Sequence, residues 1–210
     1  MNNSLRELIR NNPHLWSGDE VCQEKPGGIP TGHASLDAIL PGGGWPKNAV
    51  VEMITPHWGT GELQLLLPLM KSMTRRRRWI LWVCPPYIPY APALVNADID
   101  IDFLMTIGPN ISCRDALWTI EKALQSQRCG LLMAWLNHLP NGVIRRLQLA
   151  ADAGKTPCVL FRNQRGKNSP AALQLQVEYS DRGSDRGIHA RVLKARGAHQ
   201  YHSADIPCPG

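Results

Sequence analysis

Residues Thr55 to Leu63 read TPHWGTGEL, after a short β-branched run (Ala49 to Ile54) and ahead of a leucine-rich segment. That is the setting of a phosphate-binding loop. In the working motif, G-x-x-x-x-G-K-[ST], backbone N–H groups cradle the phosphates, the lysine neutralises the β/γ charge and the hydroxyl binds Mg²⁺. Gly61 is kept, with Gly59 in the same loop, but Glu62 stands where the lysine belongs and Leu63 where the hydroxyl belongs. The step from Thr55 to Gly61 is also one residue longer than in the motif. A carboxylate at this point repels phosphates, so the loop predicts a nucleotide-binding fold without its nucleotide, with no cofactor and no catalytic residue.

A second concentration of chemistry is basic. Between Arg162 and Arg196 there are eight Lys and Arg residues against Glu178, Asp181 and Asp185, a surplus of +5 in a chain whose net charge is +6. An anionic partner, nucleic acid above all, selects for such a segment, and a solvated basic surface is the alternative. The candidates for contact with nucleic acid are Arg162, Arg165, Lys167, Arg191, Lys194 and Arg196. The run Arg75 to Arg78 follows a helical segment, where positive charge meets the negative end of the helix dipole, with contact to DNA or a partner as the alternative. Among the seven tryptophans, Trp79, Trp82 and Trp135 lie in strand-like runs and are expected in the core. Trp16, Trp45 and Trp58 flank glycines or prolines and are expected to be exposed anchors for a partner. The seven histidines and six cysteines show no metal-ligand spacing, and no C-x-x-C pair occurs. Free thiols packed as small hydrophobes are therefore expected, and no Ser, His and acid grouping suggests a hydrolase.

The elements that must position these residues alternate. Strands are expected at Ala49–Ile54, Trp79–Cys84, Phe103–Ile107, Gly130–Leu136 and Pro157–Phe161. Helices are expected at Ser35–Leu40, Glu62–Met73 with a kink at Pro68, Ser112–Gln127 capped by Ser112, and Val143–Ala153 stopped by Gly154. GLLMAWL is apolar on every side, the mark of a central parallel strand covered on both faces. Ala172–Tyr179 and Ile188–Lys194 alternate apolar and polar residues about a Gly/Asp/Arg turn, which predicts a hairpin with one wet face. The fold class is α/β, a mostly parallel sheet with helices on both faces and a C-terminal β-hairpin. Three regions result: an N-terminal helix and connector over 1–28, a core domain over 29–196, and a tail over 197–210. No run approaches the roughly 20 apolar residues of a membrane span, and MNNSLRELIR lacks a secretory signal's apolar stretch, so a soluble cytoplasmic protein is expected.

With the elements in this order, the chain resembles RecA over residues 29–196. The resemblance rests on Thr31-Gly32, Ser35-Leu36-Asp37, the Gly42-Gly43-Gly44 turn before the loop strand, and Asn163-Gln164, similar to the start of RecA's second DNA-binding loop. It exposes two more losses besides Glu62. Cys84-Pro85-Pro86 stands where RecA has its water-activating glutamate, and Trp135 near its Mg²⁺-linked aspartate. Two families share this degenerate pattern. GGGWP followed by GTGELQLLLPLM is similar to ImuA, the accessory protein of SOS-induced mutagenic translesion DNA synthesis. The leucine-rich helix and the W-x-L-W strand of Trp79 to Trp82 are also similar to SulA, the SOS inhibitor of the division protein FtsZ. The ImuA resemblance implies a non-catalytic adaptor, a pseudo-ATPase, for ImuB and an error-prone DnaE-type polymerase, with RecA and single-stranded DNA as further candidate partners. The front segment from Thr31-Gly32 through Pro46 favours ImuA; the alternative, the SulA resemblance, implies binding of FtsZ.

Overall fold

Among the described residues, five apolar runs, a long hairpin and a short C-terminal strand assemble into one eight-stranded sheet with helices on both faces. The computed structural model describes residues 27–182, 185–196 and 202–207. In chain order the elements are α1 (Ala34–Ile39), β1 (Val50–Ile54), α2 (Leu67–Arg75), β2 (Trp79–Val83), α3 (Ala91–Asn96), β3 (Leu104–Ile107), α4 (Cys113–Gln125), β4 (Cys129–Trp135), α5 (Asn141–Gly154), β5 (Cys158–Arg162), β6 (Leu173–Arg182), β7 (Asp185–Ala195) and β8 (Ser203–Pro207). The sheet order is β3-β2-β4-β5-β1-β6-β7-β8. Pairing is parallel from β3 across to β6 and antiparallel from β6 to β8. Among the described residues no helix is long and apolar enough to cross a membrane.

Strands β1, β4 and β5 are buried along their whole length, because apolar layers cover both faces. On one side Met53, Ile80, Leu131 and Phe161 pack with Leu36 of α1 and Leu69 and Met70 of α2. On the other, Val50, Leu81, Leu132 and Leu160 pack with Ile120 of α4 and Leu147 of α5. The Thr31 to Asp37 run is a helix entry: Asp37 Oδ1 accepts from the Thr31 N–H at 2.8 Å, and the helix sets Leu36 into the core. The hairpin has the expected wet face, since Leu173, Leu175, Val177, Ile188, Ala190 and Val192 point inward together.

Several expectations give way to packing. Glu62–Met73 is not one kinked helix. A 3-10 turn over Gln64–Leu66 precedes α2, which places Pro68 in the first helical turn, where its missing N–H costs nothing. Gly154 is the last residue of α5, and Lys155, at φ 52°, is the left-handed cap. Gly154 serves close approach instead: a Cβ there would lie 1.7 Å from the Leu124 carbonyl oxygen of α4. Trp79, expected in the core, opens β2 at 39% exposed. The segment 197–210, expected to be a tail, contains β8, which pairs with β7 from Gly187↔Pro207 to Arg191↔Ser203. Short α3, with Pro92 in its first turn, was equally unanticipated. The N-terminal helix expected near Leu5 lies outside the described residues.

Candidate functional site

The loop after β1 sits at the carboxyl ends of the parallel strands, where α/β sheets hold their ligands. Its own glutamate fills it. Glu62 is 2% exposed, and its Oε1 and Oε2 accept from the backbone N–H groups of Gly59 and Thr60 at 2.8 and 2.9 Å. These are donors of the kind a phosphate would take. Gly59 and Gly61 have φ of 80° and 102°, which glycine adopts without strain. The Thr55 and Thr60 hydroxyls both donate to the His57 carbonyl, at 2.8 and 3.2 Å. Leu63 packs against the core. Glu62 does more than repel phosphates: its carboxylate is an internal substitute for the anion. The signal was present in the spacing Gly59-x-x-Glu62, that of a capping-box carboxylate reaching back three residues.

Beside the loop stands an aromatic column. Trp135 stacks on Phe161 with ring centroids 4.5 Å apart and planes 6° from parallel, and Trp82 tilts against Trp135 at 5.4 Å. Trp58, in the loop itself, meets Phe161 edge-on at 6.5 Å. Trp135 thus occupies its strand end as a packing residue, 8% exposed. Of the tryptophans expected as exposed anchors, Trp45 is 1% exposed, because the Gly42 to Gly44 turn folds back and its backbone pairs with Ile29. Trp58 is half-buried by its contact with Phe161 and the core. Trp16 lies outside the described residues.

The basic candidates divide. Arg162, at the end of β5, is buried: Nη1 donates to Glu52 Oε1 of β1, while Nε and Nη2 donate to the Asn137 carbonyl at 3.3 and 3.1 Å. Gln174 closes the group by donating Nε2 to Glu52 Oε2 at 2.8 Å. Arg162 is therefore a structural counter-ion and not a nucleic-acid contact, since strand pairing sets it beside Glu52, which is 0% exposed. Glu52 itself went unmarked in an otherwise apolar strand. Arg165 is exposed but tethered, to Gln174 Oε1 at 3.4 Å and the Leu193 carbonyl at 3.2 Å. The ammonium of Lys194 is spent on the carbonyls of Ser169 and Ala171. Lys167, Arg191 and Arg196 are exposed.

A further surface was not anticipated. The turn after β2 exposes Tyr87, Ile88 and Tyr90 at 67%, 95% and 72%. With Leu94, Ile101 and Leu104 it encloses a shallow apolar depression of about 380 Å³ beside edge strand β3. Met105 of β3 and Trp118 of α4 are also exposed. The run PPYIPY carried the signal: three large apolar or aromatic side chains held between prolines cannot all be buried by so short a turn. Two thiols are held protonated by burial. Cys129 is pushed up to about 11 and Cys158 higher still. Among the described residues no His, Cys, Asp and Glu group is arranged to hold a metal.

Comparison with known proteins gives one consistent result. The family model described as "Cell division inhibitor SulA" matches residues 52–158, half of the chain. That stretch runs from β1 through the Glu62 loop and the apolar turn to the start of β5. The cell division inhibitor SulA of Edwardsiella piscicida is 30% identical over 122 residues, 58% of this chain and 71% of that relative. The SulA of Serratia marcescens is 29% identical over 102 residues, 49% of this chain and 60% of the relative. The crystal structure of SulA from Pseudomonas aeruginosa aligns over 53% of this chain and 96% of its own, with 21% identity and a TM-score of 0.44. On the family match and the Edwardsiella relative, the chain belongs to the SulA cell division inhibitor family.

Proposed function

We propose that this chain is a non-catalytic SOS-response protein that acts by binding, and that its target is the division protein FtsZ. One observation carries the reading: the exposed Tyr87 and Ile88, and the apolar depression that they line, lie wholly within residues 52–158, the part shared with the SulA family. Exposed aromatic and aliphatic side chains grouped around a depression are how a protein anchor site is built. The loop that would serve catalysis is meanwhile occupied by Glu62, so the fold is kept for its surfaces. Expression of the chain should make cells filament, and the purified protein should block FtsZ assembly in a sedimentation assay. Ile88→Asp, at a side chain 95% exposed, should abolish both without loss of fold. Normal cell length at full expression of folded protein would defeat the proposal.

A second reading, the ImuA-type adaptor on a RecA-like frame, is favoured by a different observation. Residues 27–51 and 159–207 add α1, most of β5, the long hairpin and β8 to the part matched by the family model. These elements supply extra surface for ImuB, a DnaE-type polymerase, RecA or single-stranded DNA. Deletion of the gene then abolishes damage-induced mutagenesis, and the protein captures ImuB in a pull-down. Filamentation without either effect favours the FtsZ reading.

A further inference from the structure

A cleft of about 460 Å³ lies between α5 and the C-terminal end of β7, lined by Arg145, Leu149, Pro170, Ala171, Lys194 and Arg196. Both walls are anchored. Gln148 of α5 accepts from the Val50 N–H at 3.0 Å and donates to the Asn48 carbonyl at 3.4 Å, which fixes the helix to β1. Asn141 at the start of α5 donates to the Lys167 carbonyl at 3.2 Å, and Lys194 of β7 holds the Ser169 and Ala171 carbonyls. The connection from β5 to β6 is thereby held from both sides, and the cleft stands preformed.

Its lining is of two kinds. Arg145, Lys194 and Arg196 have no carboxylate partner among the described residues, whereas the adjacent Arg146 is paired with Glu121 of α4 at 3.2 Å. Leu149 is 64% exposed on a helix whose Ile144, Leu147, Ala150 and Ala151 are all buried. Pro170 and Ala171 lie against it in the same cleft. We propose that this cleft docks an acidic, leucine-bearing segment of a partner protein. Carboxylates of such a segment meet the two exposed guanidiniums, each able to bind a carboxylate through paired N–H donors. An apolar side chain between them covers Leu149, Pro170 and Ala171. Single-stranded nucleic acid would find the cations but no aromatic ring for its bases, since none lines the cleft. The proposal is independent of the FtsZ reading, because the cleft lies away from the Tyr87 turn and takes most of its lining from residues after 158.

The test is fluorescence anisotropy on the full chain with three labelled probes: a short peptide alternating Asp and Leu, an all-Glu peptide of equal charge, and an oligothymidylate of equal charge. The Asp-Leu peptide should bind about tenfold more tightly than either other probe, the increment of one good charge-assisted contact or one buried apolar side chain. Arg196→Glu and Leu149→Asn should each weaken it by about tenfold with unchanged melting temperature, both side chains being exposed. Arg145→Gln provides a milder variant should charge reversal disturb folding. Equal or tighter binding of the oligothymidylate or all-Glu peptide would overturn the proposal in favour of simple electrostatic attraction. Binding indifferent to Arg196→Glu and Leu149→Asn would overturn it outright.

Discussion

Replacing Arg162 by Met should destabilise the protein severely, and replacing Glu52 as well should recover most of the loss. Glu52 is 0% exposed in the middle of β1, and its carboxylate is met by Arg162 and by Gln174 Nε2 at 2.8 Å. Without the guanidinium, Gln174 alone faces a buried negative charge. Stranding one member of a buried pair costs about 3–5 kcal/mol. For a chain of this size each kcal/mol moves the melting temperature by about 2–4 °C, so the single variant should melt about 6–20 °C lower. Glu52→Met combined with Arg162→Met removes both charges and leaves an apolar strand pair, which should return the protein to within about 2 kcal/mol of the parent. Urea unfolding of the parent, both single variants and the double variant gives the coupling energy directly. The reasoning is refuted if Arg162→Met costs less than about 1 kcal/mol, or if the two substitutions add.

Glu62→Ala should uncover the Gly59 and Thr60 N–H groups, costing about 1–3 kcal/mol, and should let pyrophosphate raise the melting temperature of the variant while leaving the parent unmoved. A thermal-shift titration decides it, and a parent that responds equally would show that the cradle is open without the substitution. Burial raises the Cys129 thiol from its ordinary value of 9.0 to about 11. The unfolded chain therefore loses this proton first, and stability should be unaffected below about pH 9 and fall by about 2–3 kcal/mol as pH rises through 11. Urea midpoints across that range, compared with a Cys129→Ala variant, check the sign and the window.

What the sequence disclosed was whatever depends on short-range pattern. The all-apolar runs of β4 and β5, the alternation of β6 and β7 and the Ser112 cap on Asp115 N–H are each written within a few residues. What it concealed depends on register. Nothing local to Arg162 announces that parallel pairing sets it opposite Ile54, on the same face as the buried Glu52 two residues back, so charge composition alone turned a counter-ion into a candidate contact. Trp45 is a similar case: a tryptophan beside three glycines looks exposed until the turn folds back on Ile29. Short β8 and α3 owe their conformation to neighbours, β7 for the first and the apolar depression for the second, and their own sequences carry little periodicity.

The two glutamates of this region, ten residues apart, connect the fold to the functional reading. Each looks in the sequence like a fault, one a charge inside a buried strand and the other a charge inside a phosphate loop. Each is instead satisfied by donors of its own chain, Glu52 by Arg162 and Gln174 from β5 and β6, Glu62 by the loop backbone. Glu62 and the stack of Trp82, Trp135, Phe161 and Trp58 pack at the carboxyl ends of the central strands, while Glu52 lies in mid-strand. Glu62 thereby takes the backbone donors that an anion would use at the head of the loop. Two further surfaces are lateral, the Tyr87 turn by edge strand β3 and the Arg145–Leu149–Arg196 cleft by β7. The two proposed binding roles rest on those flanks and not on the loop that Glu62 occupies.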